Sequence, residues 1–154
     1  MTRLEVGTVD VHVVRPRPDG WRVLVLRRGE GTRCTGAWET VHGSIEGGEL
    51  PEEAALRELH EETGLEAERL YNVCVNPFYL HRTDTVQLSI VFCAFVREGG
   101  SVVTGVEHDS HDWLTVAEAC TRLAWPRERQ TLLEAYELLQ GGDAGPVEDV
   151  LRVR

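Results

Sequence analysis

The chain has 154 residues, enough for one domain with a substantial hydrophobic core and too few for two ordinary ones. Its composition, 42% hydrophobic and 27% charged, is that of a globular protein. No apolar run approaches the roughly 20 residues that cross a membrane, and the N-terminus lacks a signal-peptide core, so a cytoplasmic location without membrane contact is expected. The net charge of −10 makes bulk nucleic acid a poor partner.

Charge is unevenly distributed along the chain, and the cysteines are scattered. Residues 46–69 carry nine acids against two arginines, whereas residues 1–33 carry seven arginines against four acids. Four scattered cysteines without a C-x-x-C pair argue against both a zinc site and a disulfide scaffold. A reduced, intracellular protein accounts for this pattern most simply.

The N-terminal third is predicted to form strands. Valine-rich alternation predicts a strand over residues 4–14, followed by a turn at 16–20. A second strand is predicted over residues 21–28, where a nearly continuous apolar run indicates burial on both faces. After a loop at 29–36, residues 38–41 are predicted to form a short third strand.

A helix is predicted to begin at Pro51, an early helical position where the missing N–H does no harm. Its inward stripe is predicted from Ala55, Leu56 and Leu59, and Gly64 is predicted to end it. Long strands follow at 70–80 and 85–97, then a hairpin turn and short strands at 101–103 and from 112. Two helices, one ending near residue 123 and one from 126, complete a mixed sheet with helices on both sides. Residues 141–154 are expected to form a C-terminal tail.

Three carboxylates on the predicted helix stand out. Glu58, Glu61 and Glu62 have the spacing i, i+3 and i+4, which places them on one face about a turn apart. A solvated acidic face is the common explanation of such a pattern. Like charges so placed repel, however, and three carboxylates on a rigid helix suit a hard divalent ion such as Mg²⁺.

The flanking residues make the pattern specific. Residues 43–65 fit Gly-x5-Glu-x7-Arg-Glu-U-x-Glu-Glu-x-Gly-U, where U is a bulky aliphatic residue, at Gly43, Glu49, Arg57, Glu58, Leu59, Glu61, Glu62, Gly64 and Leu65. This segment resembles the Nudix box without a mismatch. The resemblance spans roughly residues 5–140 and implies a Nudix domain there. It implies an α/β fold, the Nudix-type α/β/α sandwich with a mixed sheet and a catalytic loop-helix-loop.

The resemblance also implies roles for the box residues. The metal ligands would be the Gly43 carbonyl and the carboxylates of Glu58, Glu61 and Glu62, holding Mg²⁺ or alternatively Mn²⁺. One of these glutamates or a further acid would deprotonate the attacking water, and the family pattern does not say which. The resemblance further implies structural roles within the box. Glu49 and Arg57 would pair across the loop, and Gly64 would close the helix.

Candidates outside the box are an acid and two arginines. The segment 107–114 resembles the Glu-His-x4-Trp-Leu segment of some nucleoside triphosphate members, which makes Glu107 a candidate catalytic acid. His108 and His111 are expected to be loop histidines, because Mg²⁺ prefers oxygen ligands. Arg27 and Arg28 end the second strand and point to opposite faces, so only one can face the substrate phosphates, and we favour Arg28.

The leading functional hypothesis is a Mg²⁺-dependent hydrolase that releases pyrophosphate from a nucleoside triphosphate. The sequence Val-His-Gly-Ser at residues 41–44 resembles the Val-Thr-Gly-Ser of the dATP and dihydroneopterin triphosphate pyrophosphohydrolase branch. Nucleotide sugars and dinucleoside polyphosphates remain alternative small-molecule substrates. Cys34, which precedes the box, also invites comparison with isopentenyl diphosphate isomerases, but the motif that surrounds the catalytic cysteine of those enzymes is missing from this chain. A non-catalytic binding module is disfavoured because every box glutamate is kept. The sequence leaves the oligomeric state open, a dimer included.

Overall fold

The structure is a computed structural model that describes residues 1–154. Its centre is a seven-stranded mixed sheet in which five strands follow the order β3-β2-β1-β6-β5, while β4 pairs with β1 and β7 pairs with β2. The strands are β1 (Arg3–Arg17), β2 (Gly20–Arg28), β3 (Trp38–Glu39), β4 (Val41–Ser44), β5 (Ala67–Leu80), β6 (Thr85–Val96) and β7 (His108–Leu114). The helices are α1 (Pro51–Thr63), α2 (Val116–Arg122), α3 (Pro126–Leu139) and α4 (Glu148–Leu151).

Two hydrophobic cores lie on opposite faces of the sheet, which gives the predicted α/β/α arrangement. One core packs α1 against the sheet, with Leu59 completely buried, and the other packs α2 and α3, with Leu132 completely buried. Alternate residues of β2 enter the two cores: Leu24 belongs to the first and Val23 to the second. The prediction that this strand is buried on both faces is confirmed.

Helix α1 has the ends that its sequence predicts. Pro51 is its first residue, and Gly64 ends it in the left-handed conformation with φ 73°, its N–H bonded to the His60 carbonyl at 2.8 Å. The Glu53 carboxylate accepts a hydrogen bond from the Leu50 N–H at 2.9 Å, which satisfies one free donor of the first turn.

The sequence prediction was wrong at three places in the sheet. The strand expected at 38–41 is two strands, because Thr40 leaves the ladder: its N–H bonds the Glu128 carboxylate of α3 at 2.8 Å. Residues 101–103 form no strand but a loop over the end of α1. The last strand begins at His108 rather than at residue 112, so residues expected in a loop lie in the sheet.

The last fourteen residues pack against the sheet. After a 3₁₀ turn at Gly145–Val147, helix α4 places Glu148 where it accepts a hydrogen bond from the Tyr71 hydroxyl at 2.8 Å. The chain end then pairs with β5, since the Val153 N–H bonds the Leu70 carbonyl at 2.8 Å. The longest helix has 14 residues, and none has the length and apolar character of a membrane span.

Candidate functional site

Arg57 organises the loop before α1. Its Nε and Nη2 atoms donate to the two oxygens of Glu49 at 2.8 and 3.0 Å, and Nη2 also donates to the Ser44 carbonyl at 2.8 Å. This bidentate ion pair fixes the loop against the helix, and the hydrogen bond from Arg57 lowers the pKa of Glu49 to about 2.

The remaining nitrogen of Arg57 contacts two of the expected metal ligands. Its Nη1 atom donates to Glu58 at 2.8 Å and to Glu61 at 3.2 Å. No three Asp, Glu, His or Cys side chains converge as a ready-made metal cage. Arg57 instead draws the carboxylates of Glu58 and Glu61 to itself, so a bound cation would have to compete with the guanidinium for them.

The three box glutamates do not share one exposed face. The side chain of Glu61 is 56% exposed, whereas those of Glu58 and Glu62 are 14% and 8% exposed. The spacing explains this difference from the prediction, because Glu62 continues the buried stripe of Ala55 and Leu59 at i, i+4 and i+7. Glu62 therefore turns toward the protein interior while Glu61 faces solvent.

Glu62 is the least satisfied carboxylate of the site. Neither of its oxygens has a hydrogen-bond partner. Burial, reinforced by the negative charges of Glu58, Glu107 and Glu39, raises the pKa of Glu62 to about 10. An unpaired buried carboxylate is costly, and proteins keep such groups when they are paired or coordinate a metal. The orphaned oxygens of Glu62 thus fit a hard cation with oxygen ligands.

A second observation at the box also fits a cation. A Cβ atom added to Gly43 would lie 2.0 Å from the Glu58 Cδ atom, so only glycine leaves room for this carboxyl. Gly43 has no positive φ, and its requirement is one of space. The Glu58 carboxyl consequently lies directly on the backbone of the residue whose carbonyl is the expected additional ligand.

A pocket of about 260 Å³ joins these acids, and we call it the acidic pocket. Its lining is Glu46, Arg57, Glu58, Glu61, Glu62, Gly105, Val106, Glu107 and His108. The loop that carries Glu107 is held on the end of α1, since the Val103 N–H bonds the Thr63 carbonyl at 2.9 Å. The structure therefore places Glu107 across the pocket from the box glutamates.

The two candidate arginines occupy different surroundings. Arg28 Nη1 lies 2.9 Å from Glu39 and 3.9 Å from Glu107, at the border of the acidic pocket. Arg27 points away and pairs with Asp109 at 3.0 Å. The structure thus brings Arg28 to the candidate site and leaves Arg27 outside it.

A larger cleft of about 550 Å³ adjoins Arg28, and we call it the aromatic cleft. Its lining is Arg28, Arg33, Cys34, Glu39, His42, Phe78, Tyr79, Leu80, Trp125, Pro126 and Arg127. The Arg127 guanidinium stacks on the Phe78 ring at 4.6 Å from its centroid, and the Trp125 indole N–H bonds Glu39 at 3.3 Å. Aromatic faces and arginines suit a ligand that combines a flat ring with phosphates.

A buried carboxylate network supports the floor of the aromatic cleft. Asp10 is 1% exposed and contacts His42 Nδ1 at 2.6 Å, the Ser89 hydroxyl at 3.1 Å and the Arg127 guanidinium. Burial alone would raise the pKa of Asp10, but the hydrogen bond with His42 and the charges of His42 and Arg127 outweigh it and lower the pKa.

Sequence reasoning missed two residues between the pocket and the cleft. Glu39 is 5% exposed and accepts hydrogen bonds from Arg28, Trp125 and His108. Burial alone would raise its pKa, but the hydrogen bonds with His108 and Arg28 outweigh burial and lower the pKa. His108, expected in a loop, is a buried strand residue, and His111 lies in the same strand with its side chain exposed. Glu39 carried a signal as an acid between apolar residues of a predicted strand, and His108 stood in the Glu-His-x4-Trp-Leu segment without being given a role.

Comparison with known proteins agrees with this architecture. A profile of the NUDIX domain matches residues 7–136. The chain is 31% identical over 122 residues to the bis(5'-nucleosyl)-tetraphosphatase [asymmetrical] of Mus musculus, covering 75% of this chain and 79% of that protein. It is 35% identical over 130 residues to an octanoyltransferase of Myxococcus xanthus, covering 83% of this chain but 36% of that protein. The chain thus spans about a third to a half of the first curated relatives that it matches.

Among solved structures, the E. coli dihydroneopterin triphosphate pyrophosphohydrolase superposes with a TM-score of 0.63 at 26% identity. The match covers 83% of this chain and 95% of that one. The profile match covers most of the sheet, helix α1 and nearly all of α3, and the sequence and structural similarities agree with it. The chain belongs to the NUDIX domain family.

Proposed function

We propose that the chain hydrolyses a nucleoside triphosphate in a Mg²⁺-dependent reaction that releases pyrophosphate and a nucleoside monophosphate. The supporting observation is the junction of the acidic pocket with the aromatic cleft. Arg28 contacts both Glu107 on the pocket side and Glu39 on the cleft side. A substrate with phosphates at one end and a flat ring at the other matches this pair of sites. The proposed catalytic unit is the domain over residues 5–140.

The proposed metal ligands are the Gly43 carbonyl and the carboxylates of Glu58, Glu61 and Glu62. A bound Mg²⁺, or Mn²⁺ in its place, supplies charge neutralisation and Lewis acidity at the phosphates. The role of Arg57 and Glu49 is to hold the ligand loop in shape. Glu107, across the pocket, is the proposed acceptor of the proton from the attacking water.

The proposed binding residues lie along the aromatic cleft. Arg28 presents its guanidinium to the outer phosphates, because arginine makes bidentate contacts to phosphate oxygens. The proposed place of the nucleobase is the aromatic cleft lined by Phe78, Tyr79 and Trp125, where ring stacking contributes without specific hydrogen bonds. In this arrangement water attacks the α- or the β-phosphorus. In either case the bond between the α- and β-phosphates breaks, and the two outer phosphates are released together as pyrophosphate.

A second candidate substrate is a dinucleoside polyphosphate. The observation that favours it is the 31% identity to a bis(5'-nucleosyl)-tetraphosphatase, which extends over most of both chains. The same acidic pocket would serve this reaction. The difference is that the bound substrate would carry a second nucleoside at the other end of its phosphate chain.

The test is a substrate panel of nucleoside triphosphates, diadenosine tetraphosphate and ADP-ribose, with products resolved by ³¹P NMR. Reactions in ¹⁸O-water followed by mass spectrometry locate the attacked phosphorus. We expect pyrophosphate and a nucleoside monophosphate from a triphosphate, and no turnover after chelation with EDTA. Orthophosphate with a nucleoside diphosphate, or turnover of dinucleotides or sugar-linked diphosphates alone, contradicts the triphosphate proposal. Turnover that survives EDTA contradicts the metal.

A further inference from the structure

His108 lies between two carboxylates that belong to different parts of the site. Its side chain has no exposed surface. On one side its Nε2 atom is 2.9 Å from a Glu39 oxygen, which is a hydrogen bond. On the other side its Nδ1 atom is 3.6 Å from a Glu62 oxygen, just beyond hydrogen-bond distance, and has no other polar partner.

A β-bulge aims the ring at this position. Ser110 of β7 lies opposite Arg27 and His108 opposite Arg28, so Asp109 is an extra residue in the ladder. Because neighbouring residues of a strand face opposite sides, the bulge turns His108 to the side of Arg28. Without the bulge, His108 and Ser110 would share a face.

The two carboxylates differ in how they are held. Glu39 is fixed from the aromatic cleft by Arg28 at 2.9 Å and by the Trp125 indole at 3.3 Å. Neither Glu62 oxygen makes a hydrogen bond, although the backbone N–H of His42 favours its ionised form to a small extent. The charged or titratable nitrogen that lies within 4 Å of a Glu62 oxygen is Nδ1 of His108. The His108 ring is in turn held by its hydrogen bond to Glu39.

We propose that His108 is a positioning residue: held by Glu39 through Nε2, its ring faces Glu62 with Nδ1 and keeps that carboxyl group at the place where the cation binds. Metal ligands are commonly oriented by such outer contacts, whose loss costs about 10–100-fold in metal affinity or activity. The arrangement connects the aromatic cleft to the acidic pocket through Glu39. This inference rests on the proposed metal site.

Two substitutions separate the two ring nitrogens. An asparagine amide reaches the position of Nδ1 and a glutamine amide that of Nε2, so His108→Asn keeps the group that faces Glu62 and His108→Gln keeps the one that faces Glu39. We expect His108→Asn to bind Mn²⁺ within about threefold of the unaltered protein, measured by electron paramagnetic resonance without substrate. We expect His108→Gln to bind it about 10–100-fold more weakly, with a parallel loss of kcat.

The controls distinguish positioning from packing. His111→Asn, on the exposed part of the same strand, should change neither Mn²⁺ affinity nor kcat. Thermal unfolding in EDTA should show similar losses for both His108 variants, because each removes the same buried ring. Equal Mn²⁺ affinities for the two variants, or a loss confined to His108→Asn, overturn the proposal.

One measurement needs no substitution and applies even where both variants fail to fold. In uniformly ¹⁵N-labelled protein, the His108 Nδ1 resonance should move when Mg²⁺ is added, because the ion seats Glu62 beside it. A resonance that stays fixed while Mg²⁺ binds overturns the proposal. If the unaltered protein binds neither Mg²⁺ nor Mn²⁺, the proposed metal site itself fails, which is a different outcome.

Discussion

Glu62 and Asp10 are both nearly inaccessible carboxylates, at 6% and 1% exposure, yet their surroundings are opposite. Asp10 meets a histidine, a serine hydroxyl and an arginine, and its pKa is lowered. Neither Glu62 oxygen makes a hydrogen bond, and burial raises the pKa of this carboxyl to about 10. Burial alone therefore does not determine what a carboxylate does. Asp10 finds its partners within the fold and stabilises it, whereas Glu62 needs a partner from outside and is suited to function.

The largest expected effect comes from Glu62→Gln. Loss of the ionised carboxylate should lower kcat by about 10²–10⁴-fold, the range for removing a group that carries catalytic charge or proton transfer. The same change should not lower the melting temperature in EDTA at neutral pH, because the raised pKa keeps the metal-free Glu62 carboxyl neutral and the amide replaces it without loss of charge. Steady-state kinetics and thermal unfolding check both expectations. Glu66→Gln, on an exposed acid just past the helix, is the control. A folded Glu62→Gln protein with unaltered turnover would falsify the assignment.

The converse change is Asp10→Asn, which should act on stability. Removing the charge leaves Arg127 without its buried partner, and breaking such a pair costs about 3 kcal/mol of unfolding free energy. Denaturant unfolding measures this loss. Asp19→Asn, which breaks the exposed pair with Arg22, should cost far less, because solvent screens exposed ion pairs. Similar losses for the two variants would contradict the contrast between buried and exposed pairs.

The pH dependence of stability should separate the two carboxylates. The folded-state pKa of Glu62 is raised from 4.5 to about 10, so its neutral form stabilises the metal-free fold at low pH. That stability is lost as pH rises from about 4.5 toward 10, by up to about 1.4 kcal/mol per pH unit. Asp10 behaves oppositely, because its lowered pKa gives stability that is lost as pH falls below its unfolded value of 3.8.

Unfolding of the wild-type and Glu62→Gln proteins in EDTA at pH 8 and pH 9 isolates the Glu62 contribution. The wild-type protein should lose more stability over this unit than the variant. Added Mg²⁺ should restore the wild-type protein alone, since a ligand that binds only the folded state stabilises it. Equal losses of unfolding free energy in the two proteins would show that ionisation of Glu62 does not destabilise the fold.

The smallest expected effect is that of Arg28→Ala on substrate binding. A contact made equally in the ground and transition states changes KM more than kcat, and we expect KM to rise about three- to tenfold. Arg27→Ala, which removes the neighbouring guanidinium paired with Asp109, should leave KM near the wild-type value. An equal rise in KM for Arg27→Ala and Arg28→Ala would contradict the assignment of Arg28 to the substrate phosphates.

The sequence was most informative where structure depends on near neighbours. Pro51 and Gly64 mark the ends of α1, and the apolar run of β2 indicates a strand buried on both faces. The pairing of Arg57 with Glu49 spans only eight residues. The break at Thr40 escaped prediction because its cause, Glu128, lies 88 residues away along the chain.

The same limit applies to the candidate site. The box glutamates and Glu107 were named from motifs, but Glu39 and His108 were not assigned roles because they meet only in the folded sheet, 69 residues apart. The bulge at Asp109 that turns His108 inward leaves no mark in the alternation of polar and apolar residues. Spacing also suggested one face for the three box glutamates, whereas Glu62 continues the buried stripe of Ala55 and Leu59 and turns toward the interior.

The bond between Glu128 and the Thr40 N–H has a consequence for synthesis of the protein. Chains emerge N-terminus first, so the whole motif over residues 43–65 leaves the ribosome well before α3, which holds the bend leading into Gly43. The central strand β1 likewise waits for β6, its parallel neighbour. A nascent or truncated chain that ends before residue 85 therefore carries the complete motif but lacks both β6, the parallel neighbour of β1, and helix α3. The acidic pocket is complete only once residues 105–108 and helix α3 have been made and have packed against the N-terminal part of the sheet.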